Sequence, residues 1–581
     1  MQQSAIQFET YEVAVPPDPA RMDVTAFVGY VTPRSDAVVP THVRDGLAQT
    51  YGDDGLSLLN RPVRVGSVAM FEALFLPDDR LAALAQLTGG PLAATLPRSG
   101  VATTLTLIVN GILHDLDLSP LPATPSDAVL RITDAIAAAG LPVTVELDVT
   151  GTAQALTFTL NPLLGRGTLA VLTYPTLGFA QTARAEARLL PSPMALGVRQ
   201  YFASGGQTAV IVALGTPPAY DTPRTARMAA LKHLTLGAAR TQTTSLGAFT
   251  SAIARGAPFA PIEPAQWHGV QHLIGTPDVT FICLPDLAEL AAPRPRHLPD
   301  LPAPAAPDEV FTECVPPAGT SATADAHRYS APDLDAVGAL LWSTSVDYIL
   351  GTISTELRDK FLIAALPRPQ AGAALPRLPD SAFLQIAEGW VRSYSSAFAP
   401  EGLMAPDAVL AGHLARQSRA QGTFLSAASQ PVLGVRDVEI RPSADRPTCK
   451  LTTDLRGIML SADLTTSRDN AWADAPVSRL MALLRGESLR LGQAMTFEPS
   501  GPALWQTIRT VLRGLMQAVY RSGALAGTGN ADSFEVICDR TTMSEKDIQS
   551  GRLIAELSFL PARPVARITV RLPLASGGRS T

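Results

Sequence analysis

Four unbroken apolar runs constrain this chain most strongly: DVTAFVGYV (Asp23–Val31), the strand within MALGVRQYFASGGQTAVIVALG (Met194–Gly215), DVTFICLPDL (Asp278–Leu287) and KFLIAALP (Lys360–Pro367). A strand with one face in water alternates apolar and polar residues. Runs without alternation, separated by helical stretches, predict a parallel sheet covered by helices on both faces. The chain is an α/β protein by this criterion. At 581 residues it is also too long for one core, so two to four domains are expected.

The remaining composition excludes several classes. Hydrophobic residues make up 46% and charged residues 17%, well inside the range of folded proteins. A net charge of −6, with no dense basic run, argues against nucleic-acid binding. Cys283, Cys314, Cys449 and Cys538 lie far apart without CxxC spacing, which fits a reducing compartment and suggests neither a disulfide framework nor a zinc site. MQQSAIQFETYEVAVPPDP has no basic or apolar leader region and does not read as a signal peptide. No uninterrupted apolar stretch reaches the roughly 18–20 residues that span a bilayer, so no membrane insertion is expected. Cytoplasmic assembly follows.

Residues 98–185 interrupt the α/β pattern. TLTLIV-NG-ILHDLDL (Thr104–Leu118) is a β-hairpin, since Asn and Gly both tolerate positive φ. A helix should start at Thr124 with Pro125 in its first turn and place Val129, Ile132 and Ile136 on one face. Strands follow at PVTVELDV, ALTFTL and TLAVLTY. This is a compact α+β unit set into another domain, and it belongs on a surface. Two Pro-rich stretches, Ala292–Pro332 and Pro367–Asp380, read as exposed loops. Residues 390–417 read as strand and loop up to AGHLARQ (Ala411–Gln417).

Candidate chemistry is sparse. His268 and His272 lie one helical turn apart, but no third ligand follows at a metal-binding spacing, and a partly exposed helix is the plainer reading. GRGTLA (Gly165–Ala170) precedes a strand, whereas a dinucleotide fingerprint follows one. Ser204 lacks a GxSxG setting, and no P-loop is present. The expectation is therefore no catalytic residue, no metal and no cofactor.

The ordered blocks of the last third carry a different signal. GVRDVEI (Gly434–Ile440), a helix, MTFEPSGPALWQTIRTVLRGLMQAVYRSGALAG (Met495–Gly527), FEVICD (Phe534–Asp539), IQSGRLIAELSFLPARP (Ile548–Pro564) and ARITVRLPL (Ala566–Leu574) follow one another. Upstream stand the AFVG strand, the RPVRVGSVAMFEALF element and the helix–Gly turn–strand at Met194. In this order the blocks resemble contractile tail sheath proteins, the family of myophage tails, R-type pyocins and bacterial contractile injection systems. Two stretches depart from the pattern: SADLTTS (Ser461–Ser467) replaces a GART tetrad, and FEPS (Phe497–Ser500) replaces FEPN. They suggest a divergent branch or a minor paralogue.

The resemblance implies α/β and α+β multidomain architecture. It places an N-terminal arm at 1–22, a central subtilisin-like α/β domain at 23–97 and 186–433, and the inserted α+β domain at 98–185. A C-terminal α+β sheath domain at 434–564 and a terminal strand arm and tail at 565–581 complete it, with the terminal strands exchangeable between subunits. It implies a non-enzymatic subunit of a helical homo-oligomer of stacked rings. The polymer surrounds an inner tube protein and meets baseplate and tail-terminator proteins, as part of a phage tail or tail-like particle. The alternatives are a degenerate subtilisin-like hydrolase and a cell-surface binding protein. Within the terminal strand, Ile568, Val570 and Leu572 alternate with Arg567, Thr569 and Arg571, the pattern of a half-buried strand that can add to a neighbour's sheet. Glu9, Tyr11, Val13 and Val15 mark the N-terminal arm. On the helix from Ala503 to Arg521, Leu504, Ile508, Val511, Leu512, Leu515 and Val519 form the apolar stripe. Gln506, Arg509, Arg513 and Gln517 line a different face, a possible contact with the tube.

Overall fold

A computed structural model describes residues 22–52, 57–150, 153–160, 167–237, 245–255, 264–296, 298, 329–356, 359–439, 446–495, 498, 501–549, 552–562 and 568–575. The N-terminal arm residues Glu9, Tyr11, Val13 and Val15, the strand residue Arg567 and Cys314 lie outside them.

The four apolar runs all enter one eight-stranded sheet. Its order is Gly457–Leu460, Cys449–Asp454, Leu384–Glu388, Phe361–Ala365, Phe281–Cys283, Val24–Gly29, Thr208–Ala213 and Pro62–Val65. The inner strands are parallel to one another, and the strand at each edge is antiparallel to its neighbour. Successive side chains point to opposite faces, and both faces are buried. Phe27, Ile211, Phe281 and Ile363 serve one core; Val28, Val212, Ile282 and Leu362 serve the other.

The first face is covered by Pro193–Ala203, Asp407–Gln421 and Ala475–Ala494. The second is covered by Arg224–Leu236, Leu246–Arg255 and Ala336–Glu356. The last of these is long and apolar enough to cross a membrane. Here Leu341, Trp342, Val346, Ile349 and Ile353 are buried in the core beneath the sheet.

Several sequence expectations need correction. Residues 407–421 are helical, not strand and loop. The segment is buried nearly all round, so it lacks the one-sided stripe by which helices are recognised in sequence. Gly412 is required within it, because a Cβ there would lie 2.5 Å from the Tyr201 carbonyl oxygen. The 367–380 stretch is not simply exposed: Arg368 and Leu378 are buried, and Arg368–Pro369 pairs in parallel with Asp333–Leu334.

The boundary at 434 also moves. Cys449–Asp454 and Gly457–Leu460 complete the large sheet, and the sheet's first core runs on without a break into Leu480, Leu484, Ile508, Leu512, Leu557 and Phe559.

The inserted unit starts earlier than expected. Arg80–Ala83 pairs with Arg188–Leu190 to form its neck, and Gln86–Thr88 already belongs to its sheet. It has its own core, including Leu87, Leu107, Ile132, Leu156 and Phe158. The hairpin turn is as expected, with φ of 52° at Asn110 and 81° at Gly111. Thr124 caps the helix Pro125–Ala138 by accepting from the Asp127 amide at 3.2 Å. Ala128, Ile132 and Ile136 are its buried face, and Val129 is half-buried.

Candidate assembly interfaces

The terminal strand Ile568–Ala575 pairs antiparallel with Arg552–Phe559, which also pairs with Phe534–Ile537. In the single chain, then, the strand is not an orphan but one edge of its own domain's three-stranded sheet. The physical reason is local. Arg552–Phe559 presents a free row of backbone groups, and eight residues of matching alternation lie a short link away. Ile568 and Leu572 are buried, Val570 is half-buried, and Thr569 and Arg571 are exposed. Arg571 Nε donates to Glu556 Oε2 at 3.0 Å. Among the described residues, nothing pairs with the strand's outer edge.

The helix Pro502–Arg521 packs beside this sheet. Its buried stripe is Trp505, Ile508, Leu512, Met516 and Val519. Trp505 and Met516 therefore replace the expected Val511, which is 46% exposed. Spacing alone admits either set; the side facing Phe534–Ile537 selects between them. Gln506 and Arg513 are exposed, while Arg509 and Gln517 are partly covered. Arg509 is engaged at home, donating to Gln506 Oε1. Arg513 is the freer of the two arginines, and the helix carries no acidic residue.

A buried ion pair joins the C-terminal helices to the large sheet. Asp463, in the stretch Ser461–Ser467, accepts from Arg479 Nη1 at 2.8 Å and Nη2 at 2.6 Å. It also accepts from Gln385 Nε2 at 3.0 Å and the Ala427 amide at 2.9 Å. Arg479 Nε donates to the Thr423 carbonyl at 2.9 Å. Burial opposes the Asp463 charge, but the guanidinium and these donors outweigh it and hold the carboxyl below its ordinary range. One node thus ties a sheet strand, the 423–427 loop and the helix Ala475–Ala494 together. Sequence reading missed it because its members are far apart along the chain.

A second node holds the neck of the inserted unit. Arg80 makes two hydrogen bonds to the Glu289 carboxylate, donates through Nε to the Pro218 carbonyl at 3.0 Å and lies 3.6 Å above the Tyr220 ring. Arg227 reaches the Glu289 and Tyr220 carbonyls at 2.8 and 3.0 Å. Tyr329 stacks on Tyr220 and donates to the Ala82 carbonyl at 2.6 Å. Nearby Asp286 accepts from the Tyr30 amide at 2.6 Å, yet burial pushes its carboxyl up to about 7.

The residues weighed for chemistry have structural partners. His272 is fully buried rather than on a partly exposed helix; its Nδ1 meets Tyr51 Oη at 2.7 Å, and burial pushes its pKa down to about 3. Ser204 donates to the Leu433 carbonyl and accepts from Gln200. Among the described residues, no group of three or more His, Cys, Asp or Glu is placed to hold a metal ion.

The fold is thus an α/β scaffold with an inserted α+β domain and a small edge-bearing terminal sheet. No protein-family model matches the chain, and no curated protein does. Solved structures do. A chain of the anti-feeding prophage baseplate shares 15% identity over 97% of both chains, with a TM-score of 0.44. A chain of the anti-feeding prophage helical sheath in its contracted state shares 14% over 98% of both, with a TM-score of 0.44. A sheath tail protein from Listeria innocua shares 10% over 95% of both, with a TM-score of 0.33.

Proposed function

We propose that this protein is a structural subunit of a contractile sheath that polymerises around an inner tube and shortens to drive the tube forward. The single observation that carries the reading is the terminal strand: the chain's last described element is an edge strand, joined by a short link, whose outer side is unpaired among the described residues. The order of sequence blocks supports it, since the AFVG strand, the Ser67-capped helix and the helix before Thr208 all take the places the resemblance implies.

The energetics of the strand favour exchange. About four to six ladder bonds at about 1 kcal/mol each, plus two buried apolar side chains at about 1.5–3 kcal/mol each, stabilise it by roughly 7–12 kcal/mol. Ordering eight residues costs roughly 8–16 kcal/mol in backbone entropy. Near balance at home, the same register is open to a neighbour's Arg552–Phe559. Donation between copies satisfies identical backbone groups while linking subunits. Rigid-body rotation of each subunit about such links changes the polymer's length, a switch between two packings. Arg513, with Gln506, Arg509 and Gln517 beside it, is the proposed contact with an acidic inner tube. Baseplate and tail-terminator proteins close the two ends. The central domain is read as subtilisin-like in shape only, and the particle as a phage tail or tail-like assembly completed from cytoplasmic subunits.

Negative-stain electron microscopy of the purified chain and of a truncation ending at Pro564 tests the reading. Long hollow cylinders are expected from the full chain and none from the truncation. Ordered tubes that still shorten after the truncation would falsify strand exchange; a full chain that stays monomeric beside its tube protein refutes the sheath role itself.

A further inference from the structure

Beneath the neck of the inserted domain lies a narrow slot of about 40 Å³ that opens to solvent at one side. Its walls are rigid and largely apolar: five prolines, including Pro193, Pro285 and Pro400, together with Trp390, Leu403 and Met404. The polar groups in the lining are nearly all satisfied. Glu289 is neutralised by Arg80, and Trp390 Nε1 donates to the Leu366 carbonyl at 3.0 Å. The exceptions are Tyr220 Oη and, among the carboxylates, Asp407. Asp407 stands in the first turn of the helix Asp407–Gln421, is 2% exposed, and its Oδ1 has no hydrogen-bond partner.

An unpartnered buried carboxylate oxygen carries a desolvation cost of several kcal/mol unless a donor reaches it. The helix N-terminus eases the negative charge from one side only. An apolar slot with one unsatisfied anionic atom matches a short aliphatic chain ending in an ammonium group. Such a group supplies three donors and a positive charge, and its stem lies along proline, leucine and methionine. A neutral alkyl alcohol of the same length fills the slot but brings no charge.

We propose that this slot is a binding site for a primary alkylammonium group, with the Asp407 carboxylate as its counter-ion. The site shares no residue with the terminal sheet or the helix Pro502–Arg521, so it stands independently of the sheath reading. The geometry also explains why Gly197 lines the slot: a Cβ there would lie 2.9 Å from the Pro285 ring and narrow it.

The test is isothermal titration calorimetry of the full chain at pH 8 with n-butylammonium, with butan-1-ol as the uncharged control. Wild type is expected to bind the amine at least tenfold more tightly than the alcohol. Asp407→Asn, which keeps shape and removes the charge, is expected to abolish that preference. Ala288→Met, which fills the slot but leaves Asp407 in place, is expected to weaken amine and alcohol alike; circular dichroism verifies that both variants fold. The proposal is overturned if wild type shows no heat with the amine, if amine and alcohol bind equally, or if Asp407→Asn keeps the preference.

Discussion

Replacing Asp463 by Ala removes the anion from the most enclosed ion pair that joins the large sheet to the C-terminal helices. Asp463 and Arg479 are 3% and 2% exposed, so the guanidinium left behind cannot turn to water. It keeps the Thr423 carbonyl at 2.9 Å and longer bonds, 3.4 Å each, to Gln385 Oε1 and the Leu425 carbonyl, and loses both carboxylate bonds, while Gln385 Nε2 and the Ala427 amide lose an acceptor. Breaking one side of a buried pair costs about 3–5 kcal/mol, and the orphaned donors place this case near the upper end. With a urea slope of about 3 kcal/mol/M, the midpoint should fall by roughly 1–2 M. Tryptophan fluorescence reports this region, because Trp472 and Trp505 both pack against the connecting core. The double variant Asp463→Leu with Arg479→Met replaces the pair by apolar groups and should recover to within about 1 kcal/mol of wild type. The sign with pH is also fixed. The folded carboxyl lies below its ordinary value, so its stabilisation is complete above the unfolded value and is lost as pH falls through the folded one. A single variant that loses less than about 1 kcal/mol, against the penalty expected for an isolated buried charge, defeats the reasoning.

Two further outcomes are expected. Replacing residues 84–187 by a two-residue Asn-Gly turn rejoins the neck strands across a register already set by Arg80–Ala83 and Arg188–Leu190; the cores on either side share no residue, so the shortened chain should remain folded by circular dichroism and still form cylinders by electron microscopy. Loss of assembly after this clean deletion refutes placement of the unit on the outer surface. Asp286 has the opposite pH sign to Asp463: its folded value of about 7 lies above the unfolded 3.8, so stability is fully present below pH 4 and declines as pH rises to about 7. The difference bounds the loss at about 4 kcal/mol. Thermal melts should show Asp286→Asn gaining on wild type between pH 5 and pH 8, and parallel curves rule the assignment out.

The sequence by itself determined the elements whose signal is local. Unbroken apolar runs marked Val24–Gly29 and Phe361–Ala365 as covered strands, Asn110-Gly111 marked a hairpin, and Thr124-Pro125 marked a helix start. Each depends on a few adjacent residues and on backbone sterics, which act before any long-range contact forms. Period-2 alternation placed Ile568 and Leu572 inward, but it does not say which strand they meet. Pairing with Arg552–Phe559 is a property of the folded chain. The helix at Asp407–Gln421 was hidden because total burial erases the amphipathic contrast on which helix recognition depends. Trp505 and Met516 won over Val511 because the sheet approaches from one side only. The 434 boundary failed for a similar reason: Cys449–Asp454 returns to the large sheet after a local pattern that reads as a new unit. The Asp463–Arg479 and Arg80–Glu289 nodes, like the slot above Asp407, gather residues separated by 16 and 209 positions or more. Charge pairing and cavity shape depend on distances in space, and those exist only once the strands have chosen their order.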